Sequence, residues 1–242
     1  MLLILAAGMF THIMDFMIMM PLGPQLIRIF DISPQQFSLL VASYSVTAGI
    51  TGFISAFLID RYDRKKSLLL VYTGFAIGTL ACAFAPSYFM LLITRSMAGA
   101  FGGVLGALIL AMVSDAIPLE RRAKSIGIVM VSFSVASVFG VPFGLFIASR
   151  SSWHAPFLFL GILALLIDVL IIFFVPRFIS HLTGGFKKKN PLEVLQAIFG
   201  NVNTRFGLSF SAVLMLGHFS IIPFLAPFMV GNVGFSEQEL AD

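Results

Sequence analysis

Long apolar stretches alternate with short polar ones along the whole chain. Seven stretches are free or nearly free of charged residues, and we number them segments one to seven: 2–27, 37–59, 67–85, 88–113, 125–149, 156–175 and 206–230. An α-helix of about 20 apolar residues crosses roughly 30 Å of hydrocarbon, and it satisfies its own backbone hydrogen bonds there. The pattern therefore predicts an all-α polytopic membrane protein.

The composition excludes a soluble globular domain. Hydrophobic residues make up 59% of the 242 residues and charged residues only 11%, and the mean hydropathy is +1.02. A soluble domain usually has about a quarter of its residues charged. We therefore expect a multi-pass protein whose surroundings are a lipid bilayer, such as the inner or plasma membrane of a bacterium.

The basic residues are distributed unevenly among the loops. Twelve of the fifteen Lys and Arg residues follow segments two, four and six, whereas only two lie in the alternate loops. Lys and Arg concentrate in the cytoplasmic loops of membrane proteins. This bias predicts a cytoplasmic N-terminus, and it explains the net charge of +4 without a nucleic-acid partner.

The sequence of segment seven resembles that of segment one. A shift of 203 residues aligns three informative pairs of positions: Pro24 with Pro227, Ser33 with Ser236, and Asp15 with His218. Such a recurrence indicates a parallel repeat of six helices.

The repeat also predicts the domain organisation. We expect a six-helix transmembrane bundle over residues 1–176 and a cytoplasmic linker over residues 177–205. Residues 206–242 would then form the first helix of a second bundle, whose remaining helices are not in this chain. Half of any central cavity would belong to that missing C-terminal half.

Two ionisable residues lie deep within the segments and are candidates for a functional site. Arg95 in segment four costs about 3 kcal/mol or more at the bilayer centre, so it is expected to face a cavity or a partner. Asp15 in segment one could exchange protons if it faces water. The alternatives are that Arg95 extends to the outer headgroups and that Asp15 is a neutral carboxyl bonded to a neighbouring helix.

Three further residues complete this predicted proton-coupling and solute-cavity site. Met14 and Met19 flank Asp15, and methionine provides adaptable apolar walls. His218 occupies the position equivalent to Asp15 in the repeat.

Four motifs occur in an order that resembles the major facilitator superfamily. Residues 56–66 (AFLIDRYDRKK) resemble its loop signature G-x-L-a-D-r-x-G-r-k, with Ala56 and Asp63 in place of the two glycines. Residues 91–99 resemble its l-x-x-x-R-x-x-q-G motif, and residues 140–144 (GVPFG) resemble the G-P-x-x-G motif of its exporters.

The fourth motif points to one branch of that superfamily. Residues 151–157 (SSWHAPF) are similar to the G-W-R-x-x-F entry to helix six in the drug and arabinose-efflux branch, whose members are twelve-helix proton antiporters. The resemblance implies a six-helix bundle of the major facilitator type plus the first helix of a second bundle.

Charged residues at the predicted inner ends of segments two and four form a candidate conformational latch. Its members are Asp60, Arg61, Arg64, Lys65 and Asp115. Because an exposed ion pair contributes only about 0 to 1 kcal/mol, such a latch requires a network of pairs. The alternative is that these charges only set the orientation of the chain.

Segment five contains a proline between two glycines. Pro142 lacks a backbone N–H, so with Gly140 and Gly144 it is expected to bend the helix. A bend formed by residues with small side chains suits a helix interface that moves.

The resemblance implies a kind of function but does not identify the substrate. We expect a secondary active transporter that exports a small amphipathic organic solute or drug by proton antiport through alternating access, with no cofactor and no metal. The alternative is an uptake symporter or facilitator of the same superfamily. An intramembrane enzyme is disfavoured, because Asp15 and Asp168 form only a formal pair of carboxyls and lack a G-x-G-D neighbourhood.

Overall fold

The computed structural model describes residues 1–59, 62–176, 196 and 198–234, without the side chains of residues 218, 219, 223 and 226. Every regular element in this part of the chain is helical. Nine α-helices follow in the described chain: α1 (Leu2–Ile18), α2 (Gly23–Phe30), α3 (Pro34–Leu58), α4 (Arg64–Ala83), α5 (Tyr88–Ala116), α6 (Leu119–Val135), α7 (Val141–Arg150), α8 (His154–Phe174) and α9 (Val202–Phe228). Two short π-helical stretches, Ala136–Gly140 and Met229–Val233, follow α6 and α9.

The predicted all-α membrane architecture is confirmed. Six helical spans are long and apolar enough to cross a membrane, and a bent helix pair raises the number to seven. Segments two, three, four, six and seven correspond to α3, α4, α5, α8 and α9, and segment five corresponds to α6 and α7 together. Most of the predicted linker, 177–195, lies outside the described residues, and α9 begins at Val202.

Segment one is not the continuous helix that its apolar pattern suggests. α1 ends at Ile18, α2 begins at Gly23, and the two axes differ by 55°. Pro21 and Pro24 lie at this break, and a proline both lacks a backbone N–H and clashes with the carbonyl four residues earlier. Hydropathy does not register a break between two apolar helices, whereas the prolines do.

Local caps define where the third helix begins. α2 ends at Phe30, and the next residue, Asp31, has a left-handed φ of 49°, a conformation that Asp tolerates better than most residues. The Ser33 hydroxyl then accepts from the Gln36 N–H, and the Gln36 side chain accepts from the Ser33 N–H. This capping box fixes the start of α3 two residues after the turn.

The predicted irregularity of segment five takes the form of a π-helical turn. α6 and α7 make one span from Leu119 to Arg150, and the widened turn at Ala136–Gly140 lies directly before Val141 and Pro142. The Val141 N–H bonds to the Ala136 carbonyl, five residues back. A wider turn accommodates the carbonyl that the proline ring would otherwise crowd.

Glycines let the central helices approach one another at backbone distance. A Cβ on Gly99 would overlap the Tyr44 carbonyl oxygen, and one on Gly103 would overlap the carbonyl oxygen of Ala48, so α5 rests directly on α3. Small residues at such spacing are typical of close helix pairs in membranes, where packing rather than water drives association.

We predict that Gly103→Ala destabilises the bundle. The added methyl group has no space beside the backbone of α3, so overpacking should cost about 1–3 kcal/mol and lower the melting temperature of the purified protein. Gly49→Ala is the matched control, because nothing lies within 4 Å of its Cβ position. Equal melting temperatures for the two variants would contradict the packing described here.

Candidate functional site

A buried ion pair joins the first and fifth helices. Arg95 Nη1 of α5 donates to Asp15 Oδ2 of α1 over 2.9 Å. The two side chains are 1% and 0% exposed. Removing either charge would leave the other without its counter-ion in a region of low dielectric, which is strongly unfavourable. The pair therefore ties α1 to α5.

Other side chains hold this pair in one geometry. The Thr79 hydroxyl donates to Asp15 Oδ1 over 3.2 Å. The Arg95 guanidinium carbon lies 4.6 Å from the centre of the Tyr44 ring and 5.8 Å from that of Phe157, distances at which aromatic rings attract cations. Arg95 Nε is buried and has no hydrogen-bond partner among the described residues, so the guanidinium keeps one unused donor.

The break in segment one places Asp15 near the end of its helix. Because α1 ends at Ile18, Asp15 lies only about 5 Å from the end of its helix, whereas Arg95 lies about 10 Å from the start of α5. A straight helix through residue 27 would have placed Asp15 much deeper. Arg95 therefore meets a carboxylate rather than extending to the headgroups.

An open groove of about 350 Å³ lies beside the pair. Residues of α1, α3, α5 and α6 line it, including the aromatic side chains of Phe16 and Phe133 and three glycines of α5. Within the part of the chain that the structure describes, its polar side chains come from three residues: His12, Tyr44 and Ser45. The groove is thus mainly apolar, with a small polar area near Asp15 and Arg95.

His12 and Tyr44 are connected, and the sequence analysis missed both. The Tyr44 hydroxyl lies 3.0 Å from His12 Nδ1. A Cβ on Gly102 would overlap that hydroxyl, so the pair depends on a glycine at this position. The available signal was the spacing of His12 and Asp15, because residues three apart lie on the same face of a helix.

The structure places two predicted cavity residues in the core. Met14 and Met19 are fully buried, and neither lines the groove. Met14 packs against Gly140 and Gly144, whose Cβ positions lie 3.1 Å from Met14 Sδ and 3.3 Å from Met14 Cε. The glycines beside the π turn thus bring α6 and α7 against α1. The side chain of His218 lies outside the described residues.

Part of the predicted latch forms an ion pair between α4 and α5. Arg64 Nε lies 3.1 Å from Asp115 Oδ2, which joins the first residue of α4 to the last turn of α5. Lys65 Nζ donates to the Ile172 carbonyl oxygen near the end of α8 over 2.7 Å. Asp60 and Arg61 lie outside the described residues.

Asp63, which stands where the resembled signature has a glycine, caps a helix. Its side chain accepts from the Lys65 N–H over 2.8 Å and begins α4. An aspartate in this position satisfies one of the free N–H groups of the first turn. The departure from the signature therefore has a structural reason.

Asp168 of α8 does not share the contacts of Asp15. The Thr73 hydroxyl donates to Asp168 Oδ2 over 2.5 Å, between α4 and α8. The two aspartates have different partners on different faces of the bundle. They do not make the facing pair of carboxyls that an intramembrane aspartyl enzyme requires.

Comparison with known sequences gives one consistent result. A model of the Major Facilitator Superfamily matches residues 5–241. An uncharacterized MFS-type transporter of Bacillus subtilis, YwfA, is 32% identical over 155 residues, which cover 64% of this chain and 38% of that protein. A probable sugar efflux transporter of Mannheimia succiniciproducens is 22% identical over 206 residues, which cover 83% of this chain and 49% of that protein. The chain spans about half the length, or less, of these relatives.

Solved structures show the same fold. A bacterial homologue of the human lysosomal transporter Spinster, inward-facing and unoccupied, matches with a TM-score of 0.77 at 24% identity, over 99% of this chain and 57% of that one. The proton:xylose symporter XylE, bound to 6-bromo-6-deoxy-D-glucose, matches with a TM-score of 0.73 at 18% identity, over 99% of this chain and 63% of that one.

We predict strong energetic coupling between Asp15 and Arg95. Asp15→Asn or Arg95→Gln alone leaves one buried charge without its partner and should cost about 3–5 kcal/mol of stability. The double variant removes both charges and should recover most of this loss. Melting temperatures of the four proteins in detergent give the double-mutant cycle.

Asp168→Asn is the matched control for this cycle, because an amide oxygen can still accept from Thr73. It should have a smaller effect than Asp15→Asn and should not be rescued by Arg95→Gln. Additive losses in the Asp15 and Arg95 variants would contradict the coupling.

Proposed function

The chain belongs to the major facilitator superfamily, and from that membership we propose that it forms part of a secondary active transporter. We propose that this transporter exports a small amphipathic organic solute in exchange for protons through alternating access. The observation that carries the proposal is the buried ion pair of Asp15 and Arg95 beside an open apolar groove.

The chemistry of the pair suits proton coupling. A proton arriving at Asp15 removes the negative charge and leaves Arg95 as an uncompensated cation, which costs several kcal/mol in a buried site. A conformation that gives Arg95 another partner or water is then favoured. Protonation can therefore shift the balance between two conformations, because it interacts with them unequally.

The groove suits the solute. Its walls are aromatic and aliphatic with a few polar groups, which matches the chemistry of an amphipathic organic molecule. Tyr44 lines the groove and also lies against Arg95, so solute and proton would act on neighbouring parts of one network. The proposed antiport uses this proximity.

We also propose how the rest of the chain is organised around this site. Residues 1–176 form the first bundle, residues 177–205 the linker, and residues 206–242 the start of a second bundle whose further helices complete the cavity. The N-terminus is cytoplasmic, as the Lys and Arg bias of the loops favours. Protons, the solute and the bilayer are the partners, and His218 would face the cavity from the second bundle.

Uptake is the second candidate. The neighbour XylE is described as a proton:xylose symporter, whereas the relative from Mannheimia succiniciproducens is described as a probable sugar efflux transporter. The same ion pair could serve either direction of transport. A proton site couples solute movement to proton movement, but it does not determine whether the solute moves with the proton or against it. The direction of solute movement under an imposed proton gradient distinguishes them.

We expect Asp15→Asn in the full-length protein to abolish flux driven by a pH gradient. The amide retains the shape of the carboxyl and cannot exchange a proton. Proteoliposomes with equal amounts of folded protein would be loaded with an uncharged fluorescent dye, and dye movement would be followed after a pH jump. Dye exchange without a gradient should persist in the variant.

Asp168→Asn serves as the control in the same assay, because it removes a membrane carboxyl that is not in the pair. It should retain gradient-driven flux. Unchanged gradient-driven flux in Asp15→Asn would place proton coupling elsewhere, and dye entry with the proton would favour the symporter.

The pairing of Arg64 with Asp115 supports a latch at the inner ends of α4 and α5. We propose that Asp60, Arg61 and Lys65 extend it. On this proposal the cluster stabilises the state that is closed on the inner side.

We predict that Asp115→Asn shifts the protein towards the inward-open state. Single cysteines on the inner and outer faces, in a background lacking Cys82, should show increased inner and reduced outer labelling. Glu120→Gln, at the start of α6, is the control, because it also removes one acidic charge at the inner end of the bundle. It should change neither the inner nor the outer labelling. Identical labelling in Asp115→Asn and the unmodified protein would leave these charges as orientation signals only.

A further inference from the structure

His12 presents a polar group to the groove. Its Nδ1 is engaged by the Tyr44 hydroxyl at 3.0 Å, and its ring meets that of Phe75 edge-on with 5.8 Å between centres. Among the described residues, no hydrogen bond engages its other nitrogen, Nε2, and the side chain is partly exposed where it lines the groove. One nitrogen thus fixes the ring and the other remains for a ligand.

The side chains around His12 favour an uncharged ligand. Among the described residues that line the groove there is no Asp, Glu, Lys or Arg. Arg95 and Asp15 neutralise each other behind this wall and are 1% or less exposed. A charged solute would lose hydration without gaining a counter-charge here, whereas a hydroxyl or carbonyl would need only one hydrogen bond.

Tyr44 fixes the orientation of His12 and connects it to the ion pair. The Tyr44 ring stacks at 24° to that of His12, with 6.4 Å between centres, and lies 4.6 Å from the Arg95 guanidinium carbon. Gly102 leaves the space that the Tyr44 hydroxyl occupies. Rotation of the His12 ring would therefore cost the hydrogen bond with Tyr44.

We propose that His12 is a specificity-determining residue of the transporter, and that its Nε2 hydrogen-bonds the polar group of an uncharged amphipathic solute whose apolar body lies against Phe16 and Phe133. Tyr44 is the positioning residue that orients His12. This inference deepens the proposed function and rests on it. It adds the charge class of the solute and the residue that selects it.

A set of photoreactive probes with one shared body tests the inference. The probes are a trifluoromethyl-phenyldiazirine without a polar group and its hydroxymethyl, carboxylate and aminomethyl derivatives. The full-length protein in lipid nanodiscs is photolysed with each probe, and labelled peptides are quantified by mass spectrometry. Labelling of the α1 and α5 peptides that line the groove is divided by labelling of the exposed surface of α8.

The hydroxymethyl probe should label the groove about fivefold more than the probe without a polar group, as expected for one net hydrogen bond. The carboxylate and aminomethyl probes should label it less than the hydroxymethyl probe. His12→Phe keeps an aromatic ring but removes both nitrogens, and it should reduce the fivefold preference to about one. His12→Gln retains a polar group and should keep part of the preference.

Two further variants separate recognition from a structural defect. Tyr44→Phe keeps the ring on Arg95 but removes the hydrogen bond with His12, so the preference should fall without being lost. Ser55→Ala removes a hydroxyl of α3 that bonds within its own helix, to the Gly52 carbonyl, and should leave the preference unchanged. The ratio of two probes is insensitive to a uniform loss of folded protein.

Retention of the full preference in His12→Phe would overturn the inference, as would equal labelling by the hydroxymethyl probe and the probe without a polar group. Stronger labelling by either charged probe would overturn the solute class. Labelling requires no proton gradient, so these outcomes are independent of the flux assay. Failure of gradient-driven flux would refute the proposed antiport, whereas loss of the probe preference would refute only the role of His12.

Discussion

A cation and an anion buried in the membrane interior set the main constraint on this bundle. Arg95 and Asp15 have almost no exposed surface, so each depends on the other for charge compensation. Their pairing requires α1 and α5 to lie side by side at these two residues. Thr79, Tyr44 and Phe157 add contacts from α4, α3 and α8, so five helices converge on one ion pair.

The second constraint is the close approach of backbones. Gly99 and Gly103 let α5 lie directly on α3, and Gly140 and Gly144 let the irregular span of α6 and α7 lie against Met14. In lipid, helix association depends on such packing, since water does not drive apolar surfaces together. Gly99 lies against the backbone of Tyr44, the residue whose ring faces Arg95. Packing and electrostatics thus act on the same helices.

The polar groups of the molecule fall into two zones with different physics. At the helix ends, Asp63 caps α4, Arg64 pairs with Asp115, and Lys65 binds a carbonyl of α8. These contacts join the ends of neighbouring helices, and the Arg64 side chain is only 8% exposed. In the interior, Asp15 and Arg95 pair away from water, where loss of either charge would be strongly unfavourable for the other.

The sequence by itself determined the class of the protein, the number of apolar segments and the presence of Asp15 and Arg95 within them. Lipid allows few backbone solutions, so hydropathy locates the apolar segments, although it did not register the break within segment one. The sequence also marked the irregular helix, because proline has a local steric effect. It did not place Asp15 against Arg95, and it did not show that the side chains of Met14 and Met19 are buried. Only the tertiary structure decided these points, and it alone revealed His12 and Tyr44. Which face of a helix meets a cavity depends on how that helix is rotated and how it crosses its neighbours. Side-chain packing over the whole bundle determines both.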